Sequence, residues 1–422
     1  MSTEPLDNRK SRKNIPKSIQ QEYEKLVKIV GKYFPGKIRF LEACLSVKAI
    51  GLIDGITLPF CLILIAKPGS GKSTILYIIE SLGNYYSTDN FTSKSFVSHI
   101  ANVEKSKLKE IDLLPKIKNK TFITSELAPL FSAREENLVE TIGALTKILD
   151  GKGYKSESGV HGQRGYDEDI FFTWIGAIVE IKSKIWNMIG FMGPKMYFLR
   201  MPSEINSVED SRKNIIEHMK DKSYELKLQH VKEQAKTFWE VVKEFANQKD
   251  GKVIWDESKN DSDVLDRIVI VAQVLAKLRA FLPTKDTAGT SGSNYGYEQP
   301  IEEDPERASH QMYNLAKGHA IVCGRNYVIM GDLRVVLDVA LSSASRDRVL
   351  LFELLLKSGK LSTSQIMDGL KTGNDTALRK MKEFEVLGLV EKTKIPGTTK
   401  PEYIINLKKD YQWFLSDEFK SL

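Results

Sequence analysis

The stretch AKPGSGKST, Ala66 to Thr74, holds the most specific chemistry in the chain. Gly69 and Gly71 let the backbone bend so that successive N–H groups face one point, and a helix opening at Lys72 would add its positive end there. Such a cradle suits phosphate oxygens. The string predicts a nucleotide-binding loop made of Ala66, Lys67, Pro68, Gly69, Ser70, Gly71, Lys72, Ser73 and Thr74, with Ala66 where the pattern more commonly has glycine. Lys72 is expected on the β- and γ-phosphates of ATP, and the Ser73 hydroxyl on Mg2+. The competing reading is a glycine-rich strand-to-helix turn that binds nothing.

Hydrolysis also needs a group that polarises water. TFITSE, Thr121 to Glu126, reads as a buried strand with an acid at its tip, and in a parallel sheet such a tip projects toward the phosphate loop. Glu126 is therefore expected as the catalytic base and, through water, as a magnesium contact. Ser125 stands where an aspartate usually precedes that glutamate, which puts magnesium affinity in question. The alternative role for Glu126 is to cap the helix that follows, ELAPLFS.

These residues need a scaffold. PFCLILI is continuously apolar before the loop and STILYIIESLG is amphipathic after it, a strand–loop–helix order. KTFITSE, DIFFTWIGAI and KMYFLRMP supply further buried strands separated by helical stretches, so a parallel sheet covered on both faces is expected. Two helices precede it, between about Ile19 and Ile50, broken at FPG. The expected fold class is an α/β P-loop NTPase core over 19–205, after a flexible basic arm at 1–18. A helical lid is expected over 206–344 with a mobile loop near 284–304, then a winged helix over 345–410 and a tail over 411–422.

With 422 residues, 41% hydrophobic and 28% charged, the chain is long enough for several cores. Its longest apolar run, around Leu58 to Ala66, falls well short of the ~20 residues of a membrane span, so no membrane partner and a cytoplasmic location are expected. The three cysteines, Cys44, Cys61 and Cys323, have no paired spacing, which argues against a disulfide framework or a zinc site. A formal charge of +7 permits nucleic-acid binding without demanding it. From Arg346 to Lys409, 13 Lys/Arg stand against 8 Asp/Glu, so most of the excess lies at the C-terminal end.

In that basic segment RDRVLLFELLLKSG, LSTSQIMDGLKTG and NDTALRKMKEFEVLGLV read as three helices, and EKTKIPGTTKPEYIINL as a two-strand wing. Ala377, Met381, Phe384 and Leu387 form the buried face of the third helix. That leaves Thr376, Arg379, Lys380 and Lys382 for DNA phosphates and base edges, with Lys392, Lys394 and Lys400 on the wing. Docking of another protein is the alternative use of such a module.

Asp304 to Leu341, DPERASHQMYNLAKGHAIVCGRNYVIMGDLRVVLDVAL, resembles the helical lid of AAA+ ATPases of the MCM and MoxR-like group. The resemblance follows the order of elements from about Pro59 to Leu341 and is specific only in the phosphate loop and the lid. It implies that Arg307 senses the γ-phosphate; without it Arg307 reads as a surface arginine capping a helix. It implies a residue reaching a neighbour's nucleotide, for which Lys195 and Arg200 are the candidates, and hence a ring-shaped homo-oligomer, a hexamer. Arg200 has the alternative of pairing with an acid in its own core. The polar sensor of the third strand is not obvious, since that strand offers only Thr173.

The MCM-like group also carries a hairpin that touches DNA in the central pore, and DGKGYKSESGVHGQRGYDED occupies the corresponding place. Its tip is expected near SGVHGQRG, with His161 and Arg164 as donors. A solvated surface loop, or one with Arg164 facing ATP, is the other reading. The function implied is an ATP-dependent DNA motor, helicase or loader acting in DNA replication or a related transaction. The alternatives are an ATP-switched DNA-binding regulator with little turnover and a MoxR-like remodeller of proteins.

Overall fold

The computed structural model describes residues 15–100, 105–159, 162–193, 195–201, 209, 212, 216, 223–287, 294–396 and 402–422. His161, Lys400, the arm before residue 15 and positions 288–293 of the expected loop lie outside these residues. The chain divides into two units. One is formed by Met1–Glu180, Lys195–Asp261 and Asn314–Val335, the other by Ile181–Pro194, Ser262–Tyr313 and Val336–Leu422. The span expected as a lid, 206–344, contributes to both.

In the first unit α1 (Ile15–Tyr33) and α2 (Ile38–Ile50) precede the sheet, and α1 starts inside the expected arm. The apolar run FCLILI forms β1 (Phe60–Ile65), buried at every position as a central parallel strand must be. Then come α3 (Lys72–Ser81), β2 (Tyr85–Ser87), β3 (Thr121–Thr124), α4 (Glu135–Ile148), β4 (Tyr154–Ser158), β5 (Gly162–Tyr166), β6 (Thr173–Ile178), β7 (Met196–Arg200) and α5 (Tyr224–Ala246). Five strands form one sheet in the order β2-β3-β6-β1-β7, with every pairing parallel. This sheet and its helices fit a P-loop NTPase-like fold. Strand β2 was not among the expected strands: its three residues, YYS, are partly exposed and carry no apolar run.

Strands β4 and β5 pair antiparallel as a hairpin, Tyr154 opposite Tyr166 and Ser158 opposite Gly162. Gly165 permits this pairing at φ +141°, where a Cβ would stand 2.2 Å from the Tyr154 carbonyl oxygen. Helix α5 buries Leu228, Val231, Ala235, Phe238, Trp239 and Val242 along one face. It packs on α1, where Tyr23 meets Phe238 with ring centroids 5.7 Å apart. Among the described residues no helix is long and apolar enough to cross a membrane.

A buried charge cluster closes the first unit. His319 lies on α7 (Pro305–Val322), whose residues from Asn314 on belong to this unit. Its Nδ1 is 2.6 Å from Asp332 Oδ1 and its Nε2 3.2 Å from Glu42 Oε1. Arg325 donates to both oxygens of Asp332 at 2.8 and 2.7 Å, Ile329 N–H donates to it at 2.8 Å, and Tyr23 donates to Glu42. Burial works against every charge here. Hydrogen bonds from Arg325 and His319 nevertheless hold the Asp332 carboxyl below its usual value, while the bonds to Asp332, Cys323 and Glu42 hold His319 well above its own.

The second unit contains α6 (Ser262–Arg279). The segment near 284–304, expected as a loop, carries a hairpin in which Thr284–Thr287 pairs antiparallel with Asn294–Tyr297. Further on stand α8 (Arg346–Ser358), β8 (Lys360–Ser362), α9 (Thr363–Leu370), α10 (Asn374–Val386), β9 (Val390–Lys394) and β10 (Tyr403–Leu407). The three strands form an antiparallel sheet in the order β8-β10-β9. The STSQ string caps α9 reciprocally: Gln365 N–H donates to Ser362 Oγ at 3.2 Å, and Ser362 N–H to Gln365 Oε1 at 2.8 Å. Helix α10 buries Ala377, Met381 and Phe384, the face that the spacing predicts.

Breaking a buried ion pair by neutralising one partner strands the other, at a cost of about 3 kcal/mol or more. Asp332→Asn is expected to lower unfolding stability by that amount near pH 6. Asp332, with its pKa depressed in the fold, contributes stability above its ordinary value of 3.8 and loses it as pH falls through the folded value. His319, with its pKa raised, contributes below its ordinary 6.5 and loses that contribution as pH rises through the folded value. The gap between wild type and variant should therefore be widest between those two ordinary values and narrow on either side. Urea unfolding across pH checks this, and a pH-independent gap contradicts it.

Candidate functional site

The chain leaves β1 at Ile65 and turns at once, with Gly69 at φ +75° and Gly71 at φ +84° before α3 begins at Lys72. Those left-handed values cost little only for glycine. A side chain at Gly71 would also come within 3.2 Å of Lys37 Cε. The Lys72 ammonium folds back on the loop, donating to the Ala66 carbonyl at 2.5 Å and the Lys67 carbonyl at 3.3 Å. Burial pushes its pKa below the ordinary lysine value, and the charge of Glu126 works in the opposite direction. Ser70 Oγ is buried with no hydrogen-bond partner, an orphan polar atom inside the loop itself.

The loop opens on a cavity of about 480 Å³, within the range of small-molecule sites. Lys72 and Ser73 line it from the start of α3, Ser125 and Glu126 from just beyond β3, and Asp89 from just beyond β2. Glu126 Oε1 also accepts the Ala128 N–H at 2.9 Å, so it caps the following turn while lining the cavity. The donor set fits a magnesium nucleotide. Hydroxyl and carboxylate oxygens are hard ligands for the ion, while the Lys72 ammonium suits phosphate oxygens.

No family model and no curated protein matches the chain. Among solved structures, it is similar to a crystal structure of a putative ATPase from Cytophaga hutchinsonii. The identity is 14% over 88% of this chain and 97% of that one, with a TM-score of 0.43.

The other expected residues fall in several places. Thr173 pairs with Phe60 at the start of β6, the edge of the sheet away from the phosphate loop, which follows Ile65. Its hydroxyl donates to Thr121 Oγ1 at 3.2 Å on that edge, and the residue is not part of the cavity lining. Val179, just past the other end of β6, lines the cavity instead. Lys195 precedes β7 at that same far edge, where it pairs with Asp150. Arg200 ends β7 opposite Ile65 and pairs with Glu180 at 3.0 and 3.2 Å. Arg307 lies in the first turn of α7, within the second unit.

Arg164 on β5 donates to the Ile100 carbonyl at 2.9 Å. On α10, Arg379 is exposed, Thr376 is half-buried, and Lys380 pairs with Asp347 at 3.3 Å and Glu383 at 3.7 Å. Lys382 pairs with Glu385 at 2.9 Å, Lys392 lies 4.2 Å over the Tyr403 ring, and Lys394 is exposed. Sequence reasoning missed Asp89. Its place beside Ser125 follows from the pairing of a strand too short to recognise.

Lys72→Ala removes the cation that an arriving phosphate would exchange for two neutral carbonyls. Affinity for a fluorescent ATP analogue, measured by anisotropy, should fall at least about 10-fold while the thermal unfolding profile is retained. Wild-type affinity in the folded variant would remove the loop from the site.

Proposed function

We propose that this chain is an ATPase of AAA+ type that binds Mg-ATP at the Ala66–Thr74 loop and hydrolyses it with Glu126 as base. The observation carrying this reading is that Lys72, Ser73 and Glu126 line one cavity beyond the carboxyl ends of β1 and β3. Parallel sheets bind ligands at that edge. In this reading the loop N–H groups and Lys72 hold the β- and γ-phosphates, and Glu126 accepts a proton from water as its oxygen bonds to the γ-phosphorus. The bond to the β,γ-bridging oxygen breaks, giving ADP and phosphate. Magnesium, when bound, would neutralise oxyanion charge next to Ser73. Arg307 as γ-phosphate sensor, Lys195 or Arg200 as the contact to a neighbour and a ring assembly rest on the resemblance to MCM and MoxR-like proteins.

Glu126→Gln keeps the shape of the side chain and its acceptor oxygen for Ala128 but cannot take a proton. Turnover should drop about 100-fold or more with nucleotide affinity unchanged. Turnover within two-fold of wild type would place the base elsewhere.

A second reading, DNA binding by a winged helix over 345–410, is favoured by the exposed Arg379 on α10 and Lys394 on β9. The paired Lys380 and Lys382 are less available. Replacing Arg379 and Lys394 together by alanine should make the plot of log affinity against log salt shallower by about 2. An unchanged slope would mark this part of the chain as a protein-docking module, consistent with a remodeller.

A further inference from the structure

The strand tip that carries Glu126 has Ser125 where a second carboxylate is usual. The structure offers a replacement one strand further out. Strands β2 and β3 run parallel with Tyr85 opposite Thr121 and Ser87 opposite Ile123, and Thr88 N–H continues the ladder to the Ile123 carbonyl at 3.1 Å. Two residues beyond the Ser87–Ile123 pair, the same register sets Asp89 beside Ser125. There the Ser125 hydroxyl donates to Asp89 Oδ1 at 2.5 Å. Both residues line the cavity together with Lys72, Ser73 and Glu126.

Resting on the ATP-site reading above, we infer that Asp89, clamped by Ser125, supplies the carboxylate absent before Glu126 and positions the water shell of the nucleotide's magnesium ion. A serine hydroxyl bound to one carboxylate oxygen fixes the acid's orientation, the arrangement by which outer residues tune a metal's ligands. Magnesium keeps several of its waters when bound with phosphates, so a carboxylate that holds those waters raises affinity without touching the ion. Glu80 on α3 lines the same cavity. Burial, joined by the charge of Asp89, raises its pKa against the opposing effect of Lys232. Acids gathered beside Ser73 favour a cation there.

The test compares wild type, Asp89→Asn and Ser125→Ala for binding of a fluorescent ATP analogue in EDTA and across a magnesium titration. Asp89→Asn should raise the magnesium concentration for half-maximal tight binding about 10-fold or more, and leave affinity in EDTA unchanged. Ser125→Ala should shift it in the same direction by less. A wild-type magnesium dependence in Asp89→Asn overturns the inference. So does an equal loss with and without magnesium, which marks a purely structural role. Wild-type protein that binds the analogue in neither buffer overturns the ATP-site reading itself, a result distinguishable from the other two.

Discussion

Strand β1 is bonded on both sides by parallel neighbours and buried along its length, and the placement of the phosphate loop that follows it depends on that constraint. A strand so enclosed has nowhere to satisfy its backbone except β6 and β7, so its register is fixed by both. The ladder runs past its end, with Ala66 N–H bonded to the Ile178 carbonyl at 3.1 Å and Met201 N–H to the Ile65 carbonyl at 2.9 Å. The chain leaves the sheet only beyond Ala66. Gly69 and Gly71 then turn it back over the carboxyl edge, where β3 delivers Glu126.

The fold treats its buried cations in two ways. His319 and Arg325 are matched by Asp332 and Glu42, so their charge is used up inside the protein. Lys72 rests on two carbonyls, which orient an ammonium without neutralising it. Lys48 is similar, with Nζ on the Gly83 carbonyl at 2.6 Å and its pKa lowered to about 8 by burial. Of these groups Lys72 is the one that lines the cavity beside Ser73 and Glu126. An uncompensated cation costs stability that an oxyanion returns on binding.

The parts legible in the sequence were those written in consecutive residues. AKPGSGKST announced the loop and FCLILI the central strand, each through local chemistry. Strand β2 was hidden because three partly exposed residues have no pattern, and Asp89 went unread with it. The polar sensor of the third strand stayed unassigned because DIFFTWIGAI does not show where its strand begins, and Thr173 is placed at the start of β6 only by its pairing with Phe60. The 284–304 segment looked like a loop because a short hairpin with polar residues on both strands lacks the alternation that marks a half-buried strand. The assignments on α10 were limited differently: its buried face followed from helical spacing, whereas the acids that occupy Lys380 come partly from α8.

The cluster around His319 joins it to Glu42 across 277 positions of chain. A ribosome adding about 5–20 residues each second needs roughly 14–55 s to cover that distance. Throughout that interval Glu42 and Tyr23 exist without the cation that completes their burial. The sheet strands, all within the first 200 residues, are made well before. Asn314–Val335, the last-made segment of the first unit, therefore completes the burial of residues made near the start of the chain.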